Sequence, residues 1–473
     1  MTARLQSAIL AIEGRLTFPL CAVLLFVPGL LAMLLLPPGS YVADQWAHAY
    51  RVSGILNGDI VAHPVDSLST YHCVPGEAWG GRVSDDLIAL SLEGDRAKDG
   101  SIVIAETVLQ GDGGASEVPY NNTAVYSPLA YLPQLAGMGL GSLMGLAARG
   151  SFYLAELAML CTWALLGAAA LRLLPRHRLA MLVFLLFPLC WFPYSYAISA
   201  DSFSLILAVF FSCLLFRCAV RRPSDRECLL LAGAAFLLAF SKLAYAPLIC
   251  TMLMLPLLHR RLHGRWILLA GFIAAIALEL AWMKTAAAGF ATSPAMVPYD
   301  EVARRTAGLL AQPFDAVGHI LYSIAHLEGT YRFGTQAVAA FWAVMLLALG
   351  LLVWRRIALE RCGRDAGAHG RETKGALATW WFWAVVWIAI LGCALAAYLA
   401  LYLQYNPAAN PGVEGVQYRY FLPLLPSLIL LVLESPGTAR KDATSGFGAE
   451  DGRNREFLES KRLRRMGFRN RFR

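Results

Sequence analysis

Charge is what this chain has least of. Asp, Glu, Lys and Arg make up 15% of its 473 residues, apolar residues make up 58%, and the mean hydropathy is +0.54. A chain so poor in charge cannot clothe a water-soluble body of this size in polar surface, which excludes an ordinary soluble enzyme and leaves a polytopic membrane protein. The net charge of +8 does not point to nucleic acid, because the basic residues flank apolar runs, where they set membrane topology. Cysteines usable for cross-links are scarce too: Cys161, Cys190, Cys213, Cys250 and Cys393 lie inside apolar runs, and Cys73 falls in the first long polar segment. No disulfide framework or zinc-ribbon spacing is present. Nor is there an internal repeat, which weakens a transporter built from inverted halves. The first apolar stretch lacks a small-x-small cleavage site and is followed by many more, so it reads as a span rather than a signal peptide.

What the chain does have is a succession of apolar runs, at 18–36, 151–171, 179–197, 203–219, 228–243, 246–258, 266–283, 336–354, 377–403 and 420–434. The fold class is therefore all-α, a polytopic transmembrane helix bundle of about ten spans over residues 1–434. Two runs, 228–243 and 246–258, are short for a hydrocarbon layer of about 30 Å and read as a pair bent around Ser241-Lys242. The stretch 126–145 is apolar but carries Pro128, Pro133, Gly137, Gly139, Gly141 and Gly145, so it reads as an interfacial or re-entrant helix. With that choice, 28 of the 40 Lys and Arg residues lie on the side of the N-terminus, which makes both termini cytoplasmic.

Three segments then face outward: 38–150, 284–335 and 404–419. The first is the largest, acidic on balance and broken by glycines, and is expected to fold as short elements over the membrane rather than as a separate domain. Residues 435–473 turn from Gly, Ser and Thr to Lys461, Arg462, Arg464, Arg465, Arg469, Arg471 and Arg473, the pattern of a disordered basic cytoplasmic tail beside anionic lipid.

Ionisable groups at span ends are few, and on the outer side they recur. Pro37-Pro38 stops the first run, and Asp44, His48 and Arg51 follow with Trp46 and Tyr50 between them. If 43–51 is helical, Asp44 and His48 share a face, where a carboxylate and an imidazole can hold a divalent cation or handle a proton. The plain alternative is an interfacial helix with a solvated polar face. Asp201 lies in the short outer turn Ile198-Ser199-Ala200-Asp201-Ser202, where capping the span from Phe203 is its plain role. Lys242 sits at an outer span end, where snorkelling is the plain explanation. Arg419 heads the last span. Two acids with a lysine and an arginine suit a reaction on a phosphate-linked substrate: the carboxylates accept a proton or hold a cation, and the bases neutralise a phosphate leaving group. His63, His72 and Cys73 match no trusted zinc spacing, and Asn121-Asn122-Thr123 is a glycosylation sequon by pattern alone.

The motifs occur in a definite order: Pro37-Pro38 with Asp44-Gln45-x-x-His48-x-x-Arg51, Tyr126-Ser127-Pro128-Leu129-x-Tyr131-x-Pro133, Ser199-Ala200-Asp201-Ser202, Ser241-Lys242-x-x-Tyr245-x-Pro247, and Gly415-Val416-Gln417-x-Arg419-Tyr420-Phe421-x-Pro423. This order resembles the bacterial membrane-protein family catalogued as domain of unknown function 2142, over roughly residues 18–434. Gln45 stands where that family usually has a second acid, and Tyr418 where it commonly has glycine. The family is similar in layout to GT-C glycosyltransferases. By that resemblance Asp44 and Asp201 are base or metal ligands, with His48 as a further ligand of a divalent cation such as Mg or Mn. Lys242, Arg419, His48, Arg51, Tyr245 and Tyr420 would contact substrate. The implied activity moves a sugar from a polyprenyl-phosphate donor to an acceptor outside the bacterial cytoplasmic membrane, in cell-surface polysaccharide assembly. A transporter or flippase of lipid-linked sugars and a non-catalytic scaffold of a polysaccharide assembly complex are the rival readings.

Overall fold

The computed structural model describes residues 3–39, 42, 44–65, 79–93, 113–259, 262–286, 299–327, 334–365, 370–404, 406 and 412–434. The protein is a helical bundle in which six helices among the described residues are long and apolar enough to cross a membrane: Phe18–Leu35, Ala148–Leu173, Ala200–Val220, Arg265–Ala286, Thr335–Glu360 and Leu377–Leu403. Ala200–Val220 is central, with 78% of its apolar window buried, whereas Phe18–Leu35, at 22%, lies on the outside.

The remaining runs read as spans are short or broken, and proline is the common reason. In 179–197 the helix Arg178–Leu186 stops where Phe187 turns extended ahead of Pro188, and one further turn, Pro188–Trp191, follows. The run 246–258 alternates α and 3-10 turns from Ala246 to Leu258 around Pro247 and Pro256. The last run is the nine-residue helix Leu425–Leu433 behind two 3-10 turns. The expected bend at Ser241-Lys242 is present: Asp225–Ser241 ends there, and Lys242 is extended at φ −159°.

Without a hydrophobic drive between helices in lipid, close approach of small residues holds such a bundle together. Cys21, Leu25, Gly29 and Met33 recur every fourth residue on the first span and are its buried stripe. A Cβ on Gly29 would come within 2.4 Å of Leu160 Cδ1 in Ala148–Leu173. The stretch 126–145 forms a 3-10 turn, Pro128–Tyr131, and a 12-residue helix, Leu132–Leu143, which at 1.5 Å per residue is too short to cross. Its Gly137 and Gly141 lie against Ala148–Leu173, with Gly137 facing Leu154 O at 2.2 Å from an added Cβ.

Beside the helices, the first polar segment holds a small antiparallel sheet, β1 His63–Pro64, β2 Trp79–Ser84 and β3 Ala115–Pro119, in the order β1-β2-β3. Gly80 is required at its centre, since a Cβ there would meet Val118 O at 1.9 Å. The sheet shares a core with helices Gln45–Leu56 and Asp85–Glu93 and with Tyr131, Phe152 and Ala155 of the bundle, so this segment is a cap built onto the spans. The sequon lies inside that cap: Asn121 and Thr123 are buried, Asn121 Oδ1 accepts from Trp79 N at 2.9 Å, and Thr123 Oγ1 donates to Ala47 O at 3.0 Å. The basic tail 435–473 lies outside the described residues, as do His72 and Cys73.

The hairpin of 132–143 against 148–173 yields a test. Gly137→Leu must displace backbone, and the expected cost of about 1–3 kcal/mol lowers the melting temperature of the purified protein by several degrees. Gly233→Leu, with nothing within 4 Å of its Cβ, leaves it unchanged. Equal melting temperatures for the two variants would refute the close packing.

Candidate functional site

At one end of the bundle four chain segments bring their charged residues together. The first span ends at Pro37-Pro38, and Gly39, at φ 85°, turns the chain beneath the Trp46 indole, which an added Cβ would touch at 2.2 Å. Asp44 then occupies the position ahead of helix Gln45–Leu56 in the left-handed conformation, φ 66°, a strained state for any residue with a Cβ. Asp is a favoured helix cap, yet this carboxylate caps nothing. It accepts a hydrogen bond from Arg419 Nη2 at 3.0 Å.

Asp201 is not the cap of its span either. The helix begins at Ala200, Ser199 is the cap, and Ser199 Oγ accepts from Asp201 N at 3.2 Å. Asp201 sits in the first turn, where a negative charge suits the helix dipole. Its Oδ1 accepts from Lys242 Nζ, and its Oδ2 lies 3.5 Å from Arg419 Nη1. Lys242 does not snorkel: its side chain is 13% exposed and points inward, with Nζ 5.1 Å from the Tyr420 ring centre and 5.7 Å from that of Tyr126. Arg419, in the 3-10 turn Tyr418–Tyr420, also stacks over the Tyr420 ring at 5.5 Å. Ser127 Oγ donates to Phe240 O at 3.0 Å and Trp282 Nε1 to Val125 O at 2.8 Å, which clamp the Tyr126 segment over the end of helix Asp225–Ser241.

His48, one turn beyond Asp44, faces the same cluster, as the four-residue spacing requires. It is 3% exposed, lies between Tyr126 and Tyr131 with ring centres 5.7 Å away in each case, and shares a 2.6 Å hydrogen bond through Nδ1 with the Tyr131 hydroxyl. Burial drives its pKa down to about 4, against the opposing pull of Asp201 and Asp44 and with smaller lowering contributions from Arg419 and Lys242. The imidazole is therefore neutral near pH 7, and two acids balance two bases.

The expected site residues divide. Asp44, His48, Asp201, Lys242, Arg419 and Tyr420 converge, and Tyr245, 2% exposed, lies beside Lys242 as part of the wall. Arg51, expected to contact substrate, is fully covered and donates to Asp59 O, Ile60 O and twice to Tyr126 O, at 2.6–3.3 Å. Sequence reasoning did not assign Tyr126, Ser127, Tyr131 or Tyr194 to the site, although the first three stand in the motif Tyr126-Ser127-Pro128-Leu129-x-Tyr131. Tyr194, 4% exposed, adjoins Arg419 and hydrogen-bonds Tyr418.

The donor set does not suit a divalent cation. Both oxygens of Asp201 and one of Asp44 already face cationic side chains, and His48 Nδ1 is engaged by Tyr131. Among the described residues no three His, Cys, Asp or Glu side chains are placed to hold a metal. The positive charge a metal would bring is supplied here by Lys242 and Arg419.

The exposures are unequal in a way that separates roles. The Asp44 side chain is 32% exposed, against 6% for Asp201 and 8% for Arg419. Asp44 is the carboxylate an incoming molecule can reach, and Asp201 is the counter-ion that makes two buried cations tolerable.

The opposite end of the bundle is tied by different pairs. Glu434 accepts from Arg176 Nε at 3.0 Å and lies 3.4 Å from His177, Leu179 N donates to Glu13 Oε1 at 3.1 Å, and Arg355 donates to Leu431 O and Val432 O at the end of the last helix. These pairs tie helix ends together on that side.

A polytopic helical membrane protein with a charged cluster at one end of its spans is the class that fold and site define. Within it the chain belongs to the family described as predicted membrane proteins, DUF2142, whose family model matches residues 25–428. No curated protein and no solved structure matches it.

His48 gives this site a pH signature. The unfolded chain binds a proton at the ordinary pKa of 6.5 and the folded chain only near 4, so acidification through that window favours unfolding by up to roughly 3 kcal/mol. Wild-type thermal stability should fall more steeply between neutral and mildly acid pH than that of His48→Gln. Parallel curves would show that the imidazole is not buried neutral.

Proposed function

We propose that the protein is a metal-independent glycosyltransferase that moves a sugar from a polyprenyl-phosphate donor to an acceptor at the outer face of the bacterial cytoplasmic membrane, in cell-surface polysaccharide assembly. The observation that carries this reading is the convergence of one reachable carboxylate, Asp44, with two buried cations, Lys242 and Arg419, held by a second carboxylate, Asp201. The distribution of Lys and Arg along the chain supports the outward orientation.

In this reading the lipid-linked donor enters from the bilayer and its phosphate takes Arg419 Nη2 away from Asp44. The freed carboxylate accepts the proton of the acceptor hydroxyl as its oxygen bonds to the anomeric carbon. The anomeric carbon–oxygen bond to phosphate breaks, and its electron pair leaves with the polyprenyl phosphate, whose charge Arg419 and Lys242 neutralise. His48 stays neutral and, with Tyr126 and Tyr131, shapes the wall of the site. Arg51 holds the Tyr126 segment in place.

A binding-only reading, as carrier or scaffold, is favoured by one observation, that both oxygens of Asp201 are already bonded to cations. It differs in what it requires of Asp44, which would then have no proton to accept.

In a strain lacking the gene and showing an altered surface glycan, wild-type protein should restore the glycan. Asp44→Asn, present in the membrane at wild-type level, should lower glycan synthesis roughly a hundredfold or more. Chelator added to isolated membranes should leave synthesis unchanged. Asp201→Asn should destabilise the protein by about 3–5 kcal/mol through the stranded lysine, and Asp201→Asn with Lys242→Met should regain stability without activity. Full restoration by Asp44→Asn would refute the base and leave binding only.

A further inference from the structure

Asp44 holds a strained backbone conformation without using its side chain as a cap, so something else must fix the start of its helix. Two backbone bonds contribute, Gln45 N to Val42 O at 3.2 Å and His48 N to Asp44 O at 3.0 Å. The side-chain restraint comes from Ala148–Leu173. Phe152 and Glu156 are four residues apart on that span and so share a face. They meet two consecutive residues of the outer helix: Phe152 lies against Trp46 with ring centres 5.2 Å apart, and Glu156 Oε1 accepts from Gln45 Nε2 at 3.1 Å. The span is itself fixed by Gly29 and Gly137 packing on either side, so this face is a rigid reference for the cap.

The apolar contact supplies adhesion but little rotational definition, which a directional bond adds. Gln45 and Glu156 are both 1% exposed. Glu156 has Gln45 as its one polar partner among the described residues and forms no ion pair among them, and a lone carboxylate at membrane depth is costly enough that the neutral acid is the form that belongs there. Gln45 Oε1 is buried without a donor. The hydrogen of a neutral Glu156 carboxyl is the donor it lacks, and an acid facing an amide can then make two bonds, one in each direction.

We propose that Gln45 and Glu156 form a neutral acid–amide latch that sets the left-handed turn at Asp44 and aims its carboxylate at Arg419, making Glu156 a positioning residue for the candidate site. Its value to catalysis rests on the glycosyltransferase reading; the latch itself does not. Gln45 is then the residue this geometry needs at position 45: an acid there would face a second carboxyl, and one of the two would have to carry a proton at all times. The charges near this contact are those of the site, Asp44 next along the chain and Arg419 bonded to it, with Asp201 and Lys242 behind; His48, one turn on in the same helix, is neutral.

The test reads the latch without relying on activity, by hydrogen–deuterium exchange of the 44–50 segment in the purified full-length protein, corrected for intrinsic exchange. Glu156→Gln, which can still pair with an amide in both directions, should exchange as wild type does, whereas Glu156→Leu should lose protection by about tenfold. Gln45→Glu should be protected in mild acid and lose about tenfold in mild alkali. The swap Gln45→Glu with Glu156→Gln restores the acid–amide pair and should remove that pH dependence. Unchanged protection in Glu156→Leu, or a Gln45→Glu profile that matches the swap, overturns the latch. Should Glu156→Leu fail to fold, the two Gln45→Glu proteins decide the matter. The same variants scored for glycan restoration separate the two ideas. An exchange effect in a protein whose Asp44→Asn variant restores the glycan fully would keep the latch and discard the transferase, and loss of restoration by Glu156→Leu but not Glu156→Gln supports both.

Discussion

Arg419 is the keystone of the site end. Its two terminal nitrogens reach carboxylates that arrive from opposite parts of the chain, Asp44 after the first span and Asp201 at the start of the central one. A guanidinium suits this because its donors are held in a rigid planar fork, so its two terminal nitrogens can face separate acids at fixed angles. Removing either carboxylate leaves the arginine a partner, and removing the arginine leaves Asp44 without this cation and Asp201 with Lys242 alone. The cluster therefore works as a tie between cap and bundle as well as an electrostatic centre.

Such a cluster at a span end is tolerable only if it is neutral as a whole. Two acids, two bases and an imidazole held neutral by burial meet that condition, and the rings of Tyr126 and Tyr420 take up part of the lysine's remaining field. The bonds that position these groups run mostly to backbone. Arg51 ties the Tyr126 carbonyl to the loop after helix Gln45–Leu56, Ser127 closes the end of helix Asp225–Ser241, and Trp282 holds Val125. The segment around Pro128 thus lies against the site and runs directly into the glycine-packed hairpin of 132–143 and 148–173.

Much of this was legible in the sequence, because ionisable residues at span ends are rare enough to stand out. Asp44 with His48, Asp201, Lys242 and Arg419 were visible as chemistry without a partner in their own segments. Their plain roles, cap for Asp201 and snorkel for Lys242, failed because a serine two residues earlier caps the helix and because the lysine has a buried acid to meet. Less legible were features decided by tertiary contact. Arg51 looks like a site residue by spacing, yet its guanidinium closes carbonyls. The sheet strands are too short for alternation to declare them, and runs broken by Pro188, Pro247 or Pro256 keep the hydropathy of a span while losing its continuity. Tyr126 and Tyr131 were in plain view but uncharged, so nothing in their chemistry marked them as neighbours of an imidazole.

The unequal burial of the two acids bears on how such a site can be emptied and refilled. A buried pair such as Lys242 with Asp201 is not opened cheaply, since either charge alone at that depth costs several kcal/mol. The pair of Arg419 with Asp44 is half-open to solvent on the acid's side, and Arg419 keeps Asp201 when Asp44 is displaced. On the proposed reading, an anion arriving at the site would displace the Arg419–Asp44 bond and leave the Arg419–Asp201 pair in place. The left-handed turn at Asp44 places this carboxylate at the edge of the cap, where it takes no part in capping the helix behind it.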